Sequence, residues 1–256
     1  MDLQLDNSLG ELYNSNSQKI RVITENWFGN NSFCPYCGNE QISSFENNRP
    51  VADFYCSNCN NQFELKSKSG KLHEKITDGA YKTMIERITS NENPDLFCLS
   101  YSKTSYHINN LIFIPKYFFT TNIIERRKPL SPTARRSGWV GCNIKIGEVP
   151  QEGKIKIISD GIPINKNIVI EQTKKTLLLN TDNLMARGWL LDILLCLNKI
   201  KNNDFSLREF YNFENELSAK HQENNNIRPK IRQQLQILRD KGFIEFLGNG
   251  NYRKRL

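Results

Sequence analysis

Two pairs of cysteines constrain this chain more than any other feature. Cys34 and Cys37 form one C-x-x-C pair, Cys56 and Cys59 form a second, and eighteen residues separate the pairs. This spacing is typical of a site in which four thiolates bind one tetrahedral zinc ion. A single pair could be a redox dithiol, but two pairs at this spacing favour structural zinc. Because the protein supplies all four ligands, we expect the ion to keep no open position for catalysis.

The other three cysteines indicate no disulfide framework. Cys98, Cys142 and Cys196 lie in apolar surroundings and are predicted to be small buried side chains. The N-terminus lacks a secretory signal, and the longest apolar stretch, residues 189–197, contains Asp192 and is too short to span a bilayer. We therefore expect a cytoplasmic protein without disulfides or membrane contact, and we predict no protein partner.

The composition favours a globular protein with a polyanionic partner. The chain has 256 residues, of which 38% are apolar and 24% are charged, and this excludes a disordered chain. The formal net charge is +8. A basic balance of this size favours association with nucleic acid but says nothing about the fold.

Residues 51–68 combine the second cysteine pair with three charged side chains, Asp53, Glu64 and Lys66. Two short strands are predicted, at residues 50–55 and 62–68, with the cysteine turn between them. Side chains alternate along a strand, so Glu64 and Lys66 project from one face while Phe63 and Leu65 point to the other. The turn would then bring Asp53 beside Glu64.

This arrangement suits phosphodiester chemistry. Two neighbouring carboxylates, Asp53 and Glu64, are suited to bind Mg²⁺ through oxygen ligands. Lys66 would orient and help to deprotonate a water molecule, while the metal neutralises charge at the phosphate. The alternative is an amphipathic hairpin with solvated charges, because D…E-x-K occurs by chance in many proteins. The basic chain and the zinc site beside the triplet favour the catalytic interpretation.

The same residues resemble a known superfamily, and the chain as a whole resembles one family within it. Asp53 and Glu64-Leu65-Lys66 match the motif of the PD-(D/E)xK nuclease superfamily. More closely, the chain resembles the DpnI family of methyl-directed restriction endonucleases over almost its whole length. The segments that carry this resemblance are FENNRPVADFYC, FELKSK, DGAY, PLSPTARRSGWVGCNI and IRQQLQILRDK. Such enzymes cut duplex DNA at GATC sites whose adenine carries an N6-methyl group.

The resemblance implies a fold and a site. It implies an α/β (α+β) PD-(D/E)xK nuclease domain with a zinc ribbon, followed by a winged helix-turn-helix, with both domains binding the modified DNA. Asp53 and Glu64 would bind catalytic Mg²⁺, together with the backbone carbonyl of Leu65. Pro50 departs from the motif because it is not adjacent to Asp53, but proline is not a ligand.

Two helices are predicted around the site, at residues 18–27 and 76–88. Members of the superfamily often add an acidic residue from an N-terminal helix. Glu25 is therefore either a further metal ligand or a solvated helix carboxylate, and the sequence favours the second. The helix at residues 76–88 is expected to pack behind the catalytic strands.

Residues 125–139 form a second DNA-binding candidate. Prolines and serines predict a surface loop here, and its basic residues are Arg126, Arg127, Lys128, Arg135 and Arg136. Composition alone favours Trp139 as a core residue, whereas by resemblance it matches a tryptophan that senses methylated adenine. An N6-methyl group removes one hydrogen-bond donor from adenine and adds apolar surface in the major groove.

The C-terminal part predicts a winged helix. Helices are expected at residues 187–199, 207–220 and 227–241, with Ser206 as an N-cap, followed by a hairpin of strands 243–247 and 252–256. Residues 227–256 hold eight Lys and Arg against two Asp and Glu, a balance of 8 − 2 = +6. The third helix is expected to enter the major groove, and the candidate DNA contacts are Arg228, Lys230, Arg232, Gln233, Gln234 and Arg253. A protein-binding winged helix is the alternative.

Together these observations predict a nuclease domain over residues 1–182, with its zinc ribbon at 34–59, and a winged-helix domain over residues 183–256. The predicted activity is Mg²⁺-dependent, methyl-directed type II cleavage of double-stranded DNA. Two other functions remain open: a zinc-ribbon regulator that binds DNA without cutting it, and a nuclease of the same fold that ignores methylation.

Overall fold

A seven-stranded β-sheet forms the centre of the N-terminal part of the chain. The computed structural model describes residues 1–46 and 52–255. Up to residue 177 the elements are α1 (Asn16–Asn31), β1 (Ile42–Ser44), β2 (Phe54–Cys56), β3 (Gln62–Ser69), β4 (Ile76–Ala80), α2 (Tyr81–Thr89), β5 (Asp95–Tyr101), β6 (Ile108–Ile114), β7 (Ile124–Arg126), β8 (Gly141–Ile144), β9 (Ile155–Ser159), β10 (Ile162–Pro163) and α3 (Lys166–Leu177). The helix predicted at residues 18–27 is confirmed as part of α1. The strand predicted at 50–55 begins at Phe54, and residues 50 and 51 lie outside the described residues.

The strands of this sheet follow the order β1-β2-β3-β5-β6-β9-β10. β3 and β5 are parallel, and the other neighbours are antiparallel. β5 is buried along its whole length, as expected for an apolar strand at the centre of a covered sheet. Phe28 of α1 packs on Phe54 and Phe97, with ring centroids 4.7 and 4.6 Å apart. These contacts hold α1 across β2 and β5, the two neighbours of β3.

A second, antiparallel sheet has the order β4-β8-β7, and it corrects one prediction. The single helix predicted over residues 76–88 is wrong at its start, because Ile76–Ala80 is a strand and the helix begins at Tyr81. Thr77 and Asp78 pair with Asn143 and Cys142 of β8. Pairing with a distant strand therefore overrides the helical periodicity, and Gly79 is a poor helix former in any case.

The C-terminal part is a helix-turn-helix with a small antiparallel sheet, as predicted. Its elements are α4 (Leu184–Lys199), β11 (Asp204–Ser206), α5 (Leu207–Phe210), α6 (Glu214–Lys220), α7 (Ile227–Asp240), β12 (Ile244–Gly248) and β13 (Asn251–Lys254). The sheet order is β11-β13-β12, so the wing gains a third strand that the sequence analysis did not predict. The Ser206 side chain caps α5 as predicted by accepting from the N–H of Glu209 at 3.1 Å.

The helix predicted over residues 207–220 is interrupted. A 3-10 turn at Tyr211–Phe213 separates α5 from α6. Side chains three residues apart eclipse each other in such a turn, and the rings of Phe210 and Phe213 accordingly pack edge to face at 5.5 Å. The turn lets both aromatic side chains pack in the hydrophobic core of the C-terminal part.

The two parts of the chain share one hydrophobic core. Phe119 and Ile146 of the first part belong to the same buried cluster as Leu190 and Leu194 of α4. The buried Arg187 donates to the carbonyl of Thr181 at 2.8 Å and to Oδ1 of Asn91 at 2.7 Å. The proposed boundary after residue 182 lies in the connection between α3 and α4. In the part of the chain that the structure describes, no helix has the length and apolar character needed to cross a membrane.

Candidate active site and DNA interface

The four paired cysteines converge on one point. The Sγ atoms of Cys34 and Cys59 are 3.5 Å apart, those of Cys37 and Cys56 are 3.6 Å apart, and all four lie within 4.8 Å of one another. Zinc–sulfur bonds of about 2.3 Å in a tetrahedron separate the sulfur atoms by about 3.8 Å. The cluster is therefore compatible with one tetrahedral zinc ion. Within residues 1–46 and 52–255, it is the only group of three or more His, Cys, Asp or Glu side chains close enough to share an ion.

Both cysteine knuckles use the same backbone turn. The N–H of Gly38 donates to the carbonyl of Cys34 at 2.8 Å, and the N–H of Asn60 donates to the carbonyl of Cys56 at 2.9 Å. Gly38 and Asn60 have positive φ angles of 75° and 58°, a conformation that Gly and Asn tolerate best. Burial opposes ionisation of the Cys56 thiol, but hydrogen bonds from the backbone of its own knuckle and from the side chains of Asn39 and Cys37 together outweigh burial and lower its pKa to about 7. Such a thiol readily becomes the thiolate that zinc requires.

The second knuckle connects the two strands that carry the catalytic candidates. Asp53 immediately precedes β2, and its N–H donates to the carbonyl of Phe63 on β3 at 3.0 Å. Oδ2 of Asp53 accepts from the N–H of Leu65 at 2.9 Å. Asp53 and Glu64 both line a cleft of about 620 Å³, together with Lys66. Phe63 and Leu65 are buried on the opposite face, as the strand periodicity predicts.

Lys66 is held between two carboxylates, of which the sequence analysis identified only one. Its Nζ lies 2.6 Å from Oε1 of Glu64 and 2.6 Å from Oδ1 of Asp78. The Asp78 side chain is only 6% exposed. Asp78 lies on β4, within the segment predicted to be a helix, and it was not among the predicted site residues. The segment DGAY, which begins at Asp78 and contributes to the family resemblance, was the sequence signal that could have identified this residue.

The enclosed positions of Glu64 and Lys66 perturb the pKa values of these two side chains. Burial raises the pKa of Glu64 to about 7, although Lys66 acts in the opposite direction. Burial alone would lower the pKa of Lys66, but Glu64 and Asp78 outweigh it and raise that pKa. Lys66 is therefore a cation at neutral pH, placed to donate hydrogen bonds. Perturbed groups of this kind that share a cleft are typical of functional sites.

Glu25 lies in the same cleft, where it is paired with Arg21 rather than solvated as the sequence favoured. Its Oε1 accepts from Nε of Arg21 at 2.6 Å, and its side chain is 25% exposed. Burial raises the pKa of Glu25, while Arg21 lowers it to a smaller extent. Nη2 of Arg21 is also 3.7 Å from Oδ1 of Asp53. Arg21 thus connects α1 to the catalytic hairpin.

The basic loop connects β7 to β8 and has a defined shape. Glu125 and Arg126, predicted within the loop, instead end strand β7. The N–H of Arg127 donates to the carbonyl of Gly141 at 3.0 Å, and the N–H of Leu130 donates to that of Trp139 at 2.9 Å. These bonds close the base of the loop. They leave the predicted DNA contacts Arg135 and Arg136 exposed.

Trp139 is half-buried at the end of this loop. The guanidinium of Arg136 lies 4.6 Å from the centroid of its ring. Its ring also covers Gly141, where a Cβ would lie 2.8 Å from the nearest ring carbon. Among the described residues, neither hydrophobic core includes Trp139, so the core assignment that composition favoured is wrong. Trp139 instead borders an apolar cleft of about 460 Å³ with Tyr81, Ile85 and Val140.

Helix α7 presents a basic face outward and corrects one candidate contact. Its predicted inner positions, Ile227, Ile231, Leu235 and Leu238, are all buried. Gln234, predicted to contact DNA, is only 2% exposed and belongs to this inner face, so it cannot present its amide to a groove. Arg232 and Gln233 are exposed.

The exposed cations of the C-terminal part are held by bonds within the protein. Arg228 pairs with Glu214 at 2.8 Å, and Arg253 makes two bonds to Asp204 at 2.7 and 2.8 Å. Lys230 donates to Gln233 at 2.8 Å, and Arg232 donates to the hydroxyl of Tyr211 at 2.8 Å. Solvent screens exposed bonds of this kind, so they contribute little to stability. Phosphates can therefore displace them at low cost.

Comparison with known families agrees with this architecture. Residues 1–182 match the DpnI Dam-replacing family, and residues 185–254 match the Dam-replacing HTH domain. The chain belongs to the DpnI family. That family consists of methyl-directed restriction endonucleases, and its helix-turn-helix domain implies DNA binding. The DpnI-family match covers both the cysteine cluster and the cleft that contains Asp53, Glu64 and Lys66.

Proposed function

We propose that this DpnI-family protein is a Mg²⁺-dependent type II restriction endonuclease that cuts both strands of DNA at GATC sites containing N6-methyladenine. One observation carries the catalytic part of the proposal. In a chain of an endonuclease family, the fold brings Asp53, Glu64 and Lys66 into one cleft. A regulator that only binds DNA would have no need for two carboxylates and a half-buried lysine in such a cleft.

The donor set of the cleft fits a hard divalent cation. The carboxylates of Asp53 and Glu64, with the backbone carbonyl of Leu65, would hold Mg²⁺, which when bound supplies charge neutralisation at the scissile phosphate. The N–H of Leu65 fixes the Asp53 carboxylate through its 2.9 Å bond. Lys66, a cation between Glu64 and Asp78, orients the attacking water and stabilises negative charge as it develops.

The cysteine cluster is proposed to hold structural Zn²⁺. Its sulfur atoms, within 4.8 Å of one another, leave no position for a substrate. The ion would fix the turn between β2 and β3, and it would thereby fix Asp53 relative to Glu64. The two metals thus have separate roles in one hairpin.

Recognition of the methylated site is proposed to involve two surfaces. Arg135 and Arg136 would contact phosphates, while the half-buried Trp139 would meet the N6-methyl group with apolar surface. In the winged helix, Arg228, Lys230, Arg232 and Gln233 on α7 and Arg253 on the wing would contact DNA. The family match and the basic charge of both surfaces support this assignment.

The raised pKa of Glu64 predicts a pH-dependent metal requirement. With a pKa of about 7, Glu64 is increasingly protonated as the pH falls below neutral, and Mg²⁺ must then displace a proton. We expect the Mg²⁺ concentration for half-maximal cleavage to rise by about tenfold per pH unit below that pKa. Titrating Mg²⁺ at about pH 6 and about pH 8 measures this. A half-saturation value that is the same at both would contradict the assignment of Glu64 as a ligand.

Short duplexes test the recognition proposal directly. Four otherwise identical duplexes would carry methylated GATC, unmethylated GATC, methylated adenine outside GATC, and neither feature. We expect cleavage of both strands in the first only, and only with Mg²⁺. Cleavage of unmethylated GATC at the same rate would favour a nuclease that ignores methylation. Binding without any cleavage would favour the DNA-binding regulator.

A further inference from the structure

The carboxylate of Asp78 is a buried charge at the active site to which the proposed mechanism gives no role. Its side chain is 6% exposed, and its Oδ1 lies 2.6 Å from Nζ of Lys66. An ionised side chain this enclosed is costly unless a partner compensates it. Lys66 is that partner, and the pairing brings β4 of the small sheet to β3 of the large one.

Asp78 is placed to act on the lysine rather than on a metal ion. Among the described residues, only the four cysteines form a group of three or more potential ligands, so Asp53, Glu64 and Asp78 do not converge on one point. Lys66 contacts Glu64 and Asp78 equally, at 2.6 Å each. With Glu64 as a ligand of the proposed cation, Asp78 would remain as the anion that holds the Lys66 ammonium group.

The backbone around Asp78 connects it to the basic loop. Asp78 pairs with Cys142 on β8, and the register shifts between Asp78 and Ala80, which pairs with Gly141. The N–H of Tyr81 donates to the carbonyl of Val140 at 3.1 Å. β8 begins two residues after Trp139. β4, which carries Asp78, is therefore hydrogen-bonded to β8, which follows the basic loop.

We propose that Asp78 is a positioning residue for DNA cleavage. Its carboxylate fixes the Lys66 ammonium group in the cleft, and the pairing of β4 with β8 connects Asp78 to the basic loop that ends at Trp139. This rests on the proposed nuclease function. Asp78 touches neither metal nor DNA in this role and acts only through Lys66.

Asp78→Asn tests the proposal, because it keeps the size of the side chain and removes its charge. On methylated duplex with saturating enzyme and Mg²⁺, we expect its single-turnover cleavage rate to fall by about 10²-fold. The Kd for the duplex and the Mg²⁺ half-saturation concentration should stay within about threefold of wild type. Asp78→Glu, which restores a carboxylate, should cleave at a rate between those of Asp78→Asn and wild type. Glu148→Gln is the matched control, since it breaks a carboxylate–lysine bond to Lys145 outside the cleft.

Three results would overturn the proposal. A wild-type cleavage rate in Asp78→Asn would remove the role altogether. A rise of more than about tenfold in the Mg²⁺ requirement would make Asp78 a metal ligand, and a similar rise in Kd would make its role structural. If wild-type protein itself leaves methylated duplex intact, the nuclease function fails first, and this separates the two failures.

A double variant covers the case in which Asp78→Asn does not fold. Asp78→Asn combined with Lys66→Gln leaves a neutral pair in place of the ion pair and avoids an uncompensated buried charge. If Asp78 acts only through Lys66, the double variant should cleave within about threefold of the Lys66→Gln rate. A further loss of more than about tenfold would show that Asp78 acts independently of the lysine.

Discussion

Lys66→Ala is expected to bind methylated GATC duplex with the affinity of wild type and to cleave it about 10³-fold more slowly. The reason is that Lys66 is a cation held in the cleft between Glu64 and Asp78, while the proposed DNA contacts lie on the basic loop and on α7. Removing the ammonium group takes no DNA-contacting side chain from either surface. Single-turnover cleavage with saturating enzyme, and duplex binding measured without Mg²⁺, separate the two effects.

The control for Lys66→Ala is Lys156→Ala, which removes an exposed lysine from β9 of the same sheet. We expect this variant to cleave within about threefold of the wild-type rate. If Lys66→Ala also cleaves at the wild-type rate, Lys66 has no catalytic role. If instead it loses binding and cleavage together, the lysine supports DNA binding rather than the chemical step.

Cys56→Ser is expected to remove zinc and to reduce cleavage by about 10²-fold or more. Cys56 is both a member of the four-sulfur cluster and the last residue of β2, three positions from Asp53. Loss of the ion therefore loosens the hairpin that sets Asp53 against Glu64. Residual DNA binding should persist, because α7 and the wing lie in a separate part of the chain.

Metal analysis, the cleavage rate and duplex binding of the same preparation test this together. Cys196→Ala serves as the control: it removes a buried cysteine of α4 and should leave one zinc per chain. Full cleavage by a zinc-free Cys56→Ser protein would contradict the structural role of the cluster. Loss of binding in parallel with cleavage would indicate general unfolding instead.

Local patterns were sufficient where the chemistry lies close together in sequence. The cysteine spacing predicted the four-sulfur cluster, and strand alternation predicted that Glu64 and Lys66 share a face of β3. Helices α4 and α7 followed from their apolar periodicity. In each of these cases the structure is decided by a recognisable spacing motif or by a repeat that a single element imposes.

Asp78 shows what local patterns miss. Its neighbours Ile76, Met84 and Ile88 have helical spacing, but pairing with β8, more than sixty residues away, makes the first five residues a strand. No residue pattern within residues 76–80 indicates that this segment pairs with β8. Gln234 is a different case, because position 234 is seven residues after Ile227 and three after Ile231, on the buried stripe of an amphipathic helix. Its burial was predictable, and its polarity alone suggested a surface position.

The most direct test of the central claim uses two preparations of one plasmid, from a host that methylates adenine in GATC and from a host that does not. Wild-type protein would be incubated with each, in Mg²⁺ and in EDTA. The proposed function predicts discrete fragments from the methylated plasmid in Mg²⁺ and intact DNA in the other three reactions. Equal cutting of both plasmids, cutting in EDTA, or no cutting of the methylated plasmid would contradict it.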